Sequence, residues 1–333
     1  MKVFQLLIVL MFITTAQSQT IEGIVLDKNT HEALISANVY FNGTYNGTTT
    51  DTLGYFKLNN ADHSQNTLVV SLMGYYSESL INYPTDRPVK VFLSPKTFDI
   101  NEVVVIYNKA EAERARKEGI KLFKKEFLGN TYNARKCKIL NLKDIKFVFS
   151  EDQKTFEAFA KKPILIYNAA LGYSITYHLD SFMKTETSLF YQGNHFFTED
   201  SVITKRQSKK IQRRRRTTYL GSRMHFLRSL YAENTDQEGF IIRDSINNTL
   251  PYDSIISGIE GQVRYLITNG ETSYIFYPNM KNLLNYKISF ITIKTDSVLF
   301  SQEGYFDPTN IEWWGMAAKE RVGDLLPFEY IVE

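Results

Sequence analysis

The chain has 333 residues, a formal net charge of only +3, one cysteine and 14% aromatic residues. That near-neutral balance is too small to imply a nucleic-acid protein, which only local clustering could, and the lone Cys137 excludes an internal disulfide. Stability must come from burial, for which Tyr and Phe supply large side chains.

Residues 1–18 pair Lys2 with an apolar run from Val3 to Ile13, followed by Ala16 and Ser18 at the small-residue spacing of a signal-peptidase site. This predicts an exported chain, cleaved after Ser18 and without a cysteine there for lipid attachment. The run falls short of the ~20 residues of a membrane-spanning helix, and no later apolar stretch approaches that length, so no transmembrane segment is expected after cleavage. The location implied is the periplasm, the outer-membrane surface or the medium.

From Thr20 to Pro95 the sequence runs in short apolar or alternating segments: "IEGIVLD", "SANVYFNG", "GYFKLN", "TLVVSLMG" and "VKVFLSP". Turn residues separate them, with positive φ expected at Asn42-Gly43 and Asn46-Gly47, and Asp51 and Gly54 bracketing another reversal. No helix-length face with a 3.6-residue period interrupts this pattern, which reads as a β-sandwich.

The spacing Gly23-x-Val25-x-Asp27, Ala37-Asn38-Val39, Asn42-Gly43-Thr44, Gly47-Thr48-x-Thr50-Asp51-x-x-Gly54-Tyr55-Phe56 and Ser71-x-x-Gly74-Tyr75 resembles the carboxypeptidase-regulatory-like domain of Bacteroidetes envelope proteins. The resemblance implies a seven-stranded, transthyretin-like sandwich that carries no catalysis of its own. Two positions depart from the pattern: Ala33 and Ser36 stand where Pro and Gly are often found. They bear on the turn, not on the fold.

The stretch "SPKTFDINEVVVIYNKAEAERARKEG" changes character midway, and a boundary is placed after residue 108. Ile100-Asn101-Glu102-Val103-Val104-Val105 resembles the segment that follows this sandwich in large TonB-dependent outer-membrane receptors. A receptor barrel of that kind needs about two dozen tilted strands of ~10 residues, more chain than follows here. Val103–Ile106 instead read as a last strand or linker strand. Beyond them Ala112, Ala115, Ile120, Phe123 and Phe127 mark a helix closed by Gly129, with Glu111 and Glu113 early and Lys124 and Lys125 late, as the helix dipole favours.

Residues 109–333 read as a mixed α+β domain with more strand than helix. Strands are expected at "DIKFVFS", "SITYHLDSF", "TSLFYQGNHFFTED", "QVRYLITN", "TSYIFYP" and "KISFITIK", and a helix at "GSRMHFLRSLYAEN". The segment around Pro163 is expected to hold a short helix or turn before a strand. Three strings, Ala169–Tyr177, Gly221–Leu230 and Glu320–Tyr330, resemble one group of carboxypeptidase-like regulatory domain-containing proteins, a resemblance that brings no activity with it.

No catalytic motif emerges. A metallocarboxypeptidase places a Glu three positions after a His, whereas His31, His63, His178, His195 and His225 are followed there by Leu34, Asn66, Ser181, Thr198 and Arg228. His178-x-Asp180 lies along one strand face but is not assigned a metal, and no cofactor is expected. "GYSIT", Gly172 to Thr176, lacks the second glycine of a nucleophile elbow. Cys137 has the cationic neighbours Arg135, Lys136 and Lys138 but reads as a packed strand residue.

The densest charge is "KRQSKKIQRRRR", Lys205 to Arg216. Lys209, Lys210, Arg213, Arg214, Arg215 and Arg216 are the candidate anion contacts, since guanidinium forks pair with phosphate or acidic glycans. The plainer reading of the block is a solvated basic loop, and no accompanying nucleic-acid motif is present. Five Asp-Ser/Thr-aliphatic triplets, at Asp51, Asp200, Asp244, Asp253 and Asp296, resemble the O-glycosylation site of Bacteroidetes envelope proteins and equally suit turns entering strands.

The expectation is a non-catalytic exported envelope protein, a binding or scaffold module for an envelope protein or glycan, with no nucleic-acid partner. The alternative is a hydrolase of unrecognised type with its site in residues 109–333.

Overall fold

The structure, a computed structural model, describes residues 20–59, 66–81, 83–96, 109–150, 152, 154–200, 204–260, 263–268, 270–278 and 286–332. The signal segment and the strand expected at Val103–Ile106 lie outside the described residues.

Seven strands build the first unit: β1 (Thr20–Asp27), β2 (Asn38–Phe41), β3 (Gly47–Thr49), β4 (Tyr55–Asn59), β5 (Leu68–Ser71), β6 (Glu78–Leu80) and β7 (Val89–Leu93). They pair as β4-β1-β7 and β3-β2-β5-β6, so the β-sandwich expected from alternation is present. β1 alternates strictly between half-buried and buried positions, and β4 and β7 between exposed and buried ones, as strands covered on one face do. Val25, Phe56 and Val91 meet Val39, Phe41, Leu68 and Val70 in the core between the sheets. Each such side chain contributes about 1.5–3 kcal/mol of burial.

The turn chemistry is partly as expected. Gly43 and Gly54 take positive φ, whereas Gly47 does not and instead opens β3. Ser36 adopts φ 57°, which accounts for the glycine usual at that place. The Asp51 carboxylate accepts the amides of Leu53 and Tyr55, and Asp244 those of Ile246 and Asn248, so two of the five triplets sit in side-chain-closed turns.

β2 and β5 behave differently from β1. Val39, Tyr40 and Phe41, and all four residues of β5, are buried, which requires cover on both faces. The second cover comes from a long hairpin, β12 (Tyr173–Lys184) with β13 (Leu189–Glu199). These belong to a six-stranded sheet in the order β8-β11-β12-β10-β9 with β13 on β12, where β8 is Cys137–Ile139, β9 Ile145–Phe149, β10 Phe156–Ala160 and β11 Ile164–Asn168. The segment around Pro163 is thus two strands and a turn, β10 and β11, and not a short helix. Helix α1 (Lys109–Phe123), continued by one π-helical turn to Leu128 and ended at Gly129 with φ 96°, packs on this sheet. Phe123 and Phe127 stack at 4.7 Å and meet Phe182 and Tyr177 edge-on at 5.0 Å.

Residues 109–333 hold a second apolar cluster as well. Helix α4 (Arg223–Tyr231) brings Phe226, Leu227 and Leu230 against two further sheets. One orders β14 (Ile241–Arg243), β17 (Ser273–Pro278), β18 (Tyr286–Ile293) and β20 (Ile311–Gly315); the other β15 (Ile256–Glu260), β16 (Val263–Leu266) and β19 (Val298–Ser301). The short helix α2 (Tyr132–Arg135) and the basic helix α3 (Lys205–Tyr219) complete the described helices longer than a 3-10 turn. Among the described residues no helix is long and apolar enough to cross a membrane.

Candidate functional site

The basic block is a helix, not the solvated loop expected. Thr204 caps α3 by accepting the Gln207 amide, while the Gln207 side chain accepts the Thr204 amide, a capping box that starts the helix on cue. Ser208, Ile211, Arg214, Arg215, Thr218 and Tyr219 face the protein. Lys205, Arg206, Lys209, Lys210, Arg213 and Arg216 face out.

The four consecutive arginines therefore divide. The Arg215 guanidinium lies 4.1 Å over the Tyr173 ring, donates from Nε to the Leu171 carbonyl at 2.9 Å, and pairs with Glu199 at 3.0 Å. Arg214 lies 4.1 Å over Tyr132. Arg215 thus holds α3 on the sheet, and Arg214 holds it against the short helix α2. Of the candidate anion contacts, Lys209, Lys210, Arg213 and Arg216 remain turned outward, and among the described residues none of these four forms an ion pair.

Arg213 and Arg216 stand at the edge of a cleft of about 350 Å³, walled by α3, the ends of β12 and β13, the 42–46 loop of the sandwich and the C-terminal segment. Tyr45, Tyr173 and Tyr330 supply aromatic walls, and Glu199 and Glu329 two carboxylates. Desolvation of the Tyr45 and Tyr173 phenols raises both far above the ordinary tyrosine range, so they stay neutral.

The cleft exists only because separate parts of the chain are tied together around it. The Gly43 amide donates to the His195 carbonyl at 2.8 Å, and the Phe197 amide to the Thr44 carbonyl at 2.8 Å, so the sandwich loop extends along β13. The Asn42 side chain accepts the His195 amide at 2.9 Å. Tyr40 packs on Phe196 at 4.8 Å and stacks on His178, whose Nε2 lies 3.3 Å from the Ser71 hydroxyl. From the C-terminal side the Phe328 amide donates to the Gly43 carbonyl at 2.8 Å, and Glu329 Oε1 accepts the Tyr45 amide at 2.7 Å. Arg228 of α4 holds that segment by donating to the carbonyls of Phe328 and Tyr330, and to that of Glu303.

The three strings singled out in the sequence converge here. The Ala169–Tyr177 string gives the carbonyls that Arg215 grips, and Tyr173. The Gly221–Leu230 string carries Arg223, which pairs with Glu320 at 3.2 Å, and Arg228. The Glu320–Tyr330 string supplies Asp324, which accepts from Thr131 and Asn133 at 2.8 Å, and the cleft residues Pro327, Glu329 and Tyr330. Tyr45, Glu199, Gln212 and Glu329 were not identified from sequence. Only the Thr204-x-x-Gln207 cap signalled that the block is helical.

The remaining sequence candidates are spent on packing. His178 lies in the joint, beside the Ser71 hydroxyl and the Tyr40 ring, and loss of solvent lowers it to about 4. His195 stacks on Tyr177 and is lowered likewise to about 4. His225 is buried between the Gly221 amide and Glu238. Cys137, in β8, is half-buried, and burial pushes its thiol up to about 12, away from nucleophilic chemistry at neutral pH.

Comparison with known proteins bears on the sandwich. A segment of 91 residues, 27% of this chain, is 41% identical to the TonB-dependent receptor SusC of Bacteroides thetaiotaomicron, of which it covers 8%. The chain thus spans less than a tenth of that relative's length. Residues 21–105, whose described part is the seven-stranded sandwich and its exit, match the CarboxypepD_reg-like domain.

Proposed function

We propose that the protein is a non-catalytic, exported cell-envelope protein that works as a binding module, with the cleft beside α3 as its contact site. The observation that carries this reading is the division of the arginine run. Arg214 and Arg215 are consumed in holding the helix, while Arg213 and Arg216 are left at the edge of a cleft that needs the sandwich, the sheet and the C-terminal segment together, and Lys209 and Lys210 stay exposed on the same helix. A TonB-dependent receptor shares part of the sandwich, which supports the envelope location, and the signal-like N-terminus supports export.

A hydrolase reading draws on Glu199 and Glu329, two carboxylates on one cleft. Each is already tied: Glu199 to Arg215, and one oxygen of Glu329 to the Tyr45 amide. A catalytic acid or base needs freedom to exchange protons with substrate, and these bonds favour binding over turnover.

The test is capture of partners from the native envelope by the chain lacking residues 1–18, repeated with Lys209, Lys210, Arg213 and Arg216 all changed to Ser and Arg214 and Arg215 retained. Loss of the captured material is expected. Unchanged capture by the variant would remove this face from the function, and release of cleavage products by the wild type would favour the hydrolase.

A further inference from the structure

We propose that the ligand of the cleft is an acidic polysaccharide, its sugar hydroxyls seated between Glu199 and Glu329 and its acid groups laid along the outer ridge of α3. This rests on the reading of the cleft as the contact site and assigns the chemistry of what fills it.

The ridge comes first. Lys205, Lys209 and Arg213 follow one another at i, i+4 spacing, and Arg216 adds one further turn, so outward cations continue for about 16 Å along the helix. No Asp or Glu occurs between Lys205 and Tyr219. Like charges at this spacing weaken a helix, a cost that a bound polyanion removes. A free phosphate ion would use one turn of such a ridge. A chain with repeated acid groups uses all of it.

The cleft sets the second requirement. Its carboxylates repel an anionic group that enters fully, yet both accept hydrogen bonds, and the half-buried Tyr45 and Tyr330 offer apolar ring surface beside them. Hydroxyl donors on a partly apolar ring satisfy both conditions. At about 350 Å³ the space is at the small end of ligand pockets, which suits a terminal sugar unit better than a folded partner.

Two other polyanions fit less well. A lipid surface is held by apolar side chains inserted beside the cations, but Ile211 and Tyr219, the apolar residues of α3 beside its polar run, face the protein. Single-stranded nucleic acid is bound on exposed aromatic platforms beside cations, and the outer face of α3 carries none.

The experiment is calorimetric titration of the chain lacking residues 1–18 with polygalacturonate oligomers, neutral dextran oligomers, a single-stranded oligonucleotide of matched charge, anionic phospholipid vesicles and inorganic phosphate. The polyuronate is expected to bind at least about tenfold more tightly than any other probe, and R213S/R216S to weaken it at least about tenfold. K205S/K209S should reduce the salt dependence of binding while leaving the contribution of the cleft in place. Equal or tighter binding of oligonucleotide or vesicles, no binding of polyuronate, or an affinity indifferent to R213S/R216S overturns the assignment. If envelope capture still depends on the α3 cations while polyuronate fails, the contact site stands and only its chemistry is wrong.

Discussion

Phe328 and Gly43 meet twice: the Phe328 amide donates to the Gly43 carbonyl at 2.8 Å, and the Phe328 ring occupies the space where a Cβ on Gly43 would come within 2.5 Å of it. Gly43 also has φ 75°. The loop that carries Tyr45 into the cleft is therefore fixed by a residue nearly 300 positions away, and the site depends on a contact between the two ends of the chain.

Gly43→Ala combines a disfavoured backbone conformation with a clash against a packed ring. A loss of about 2–3 kcal/mol is expected, with the C-terminal segment loosened from the sandwich. Chemical denaturation measures the first, and proteolytic release of the segment after Leu326 measures the second.

Arg228→Lys tests the other grip on that segment. Lysine cannot reproduce a planar fork that reaches three carbonyls, those of Phe328, Tyr330 and Glu303. About 2 kcal/mol of stability should be lost, because charge-assisted bonds to buried carbonyls are replaced by unpaired ones. Denaturant midpoints at unchanged slope would report it.

Ser36→Gly should do the opposite. Ser36 sits at φ 57°, where a Cβ costs about 1–2 kcal/mol that glycine avoids, less the extra chain entropy of glycine in the unfolded state. A net gain of about 0.5–1 kcal/mol is expected, read as a higher melting temperature.

Acid should weaken the joint between the sandwich and the six-stranded sheet. His178 and His195 are held neutral, each lowered to about 4 by loss of solvent, whereas the unfolded chain binds those protons near pH 6.5. Below pH 6.5 the unfolded state thus takes up more protons than the folded one. Stability is complete above that value and falls down to pH 4, by about 3 kcal/mol per histidine. Asp180, Glu320 and Asp324 are shifted upward and act in the opposite sense, so the comparison is between wild type and H178F/H195F, whose melting temperature should fall less between pH 7 and 4.

The sandwich was legible because β1, β4 and β7 alternate and β2 and β5 are continuous apolar runs. What covers the outer face of β2 and β5 was not legible, since Tyr40 and Val69 look the same in sequence whether a face meets solvent or the β12–β13 hairpin. β3 and β6, three residues each, are too short to show a period. The basic block hid its helix because its inward stripe is mostly polar, Ser208, Arg214, Arg215 and Thr218 with only Ile211 and Tyr219 apolar, so the cap was the clearest mark of it. Glu199 and Glu329 are far apart in the chain, and only the joint brings them to one cleft.

The cleft is composite, and hydrogen exchange of the chain lacking residues 1–18, with and without saturating polygalacturonate, reads that directly. Slowed exchange is predicted together in three separate segments: residues 43–46, 209–216 and 328–331. Protection confined to 209–216, or found only in segments that do not line the cleft, would contradict it.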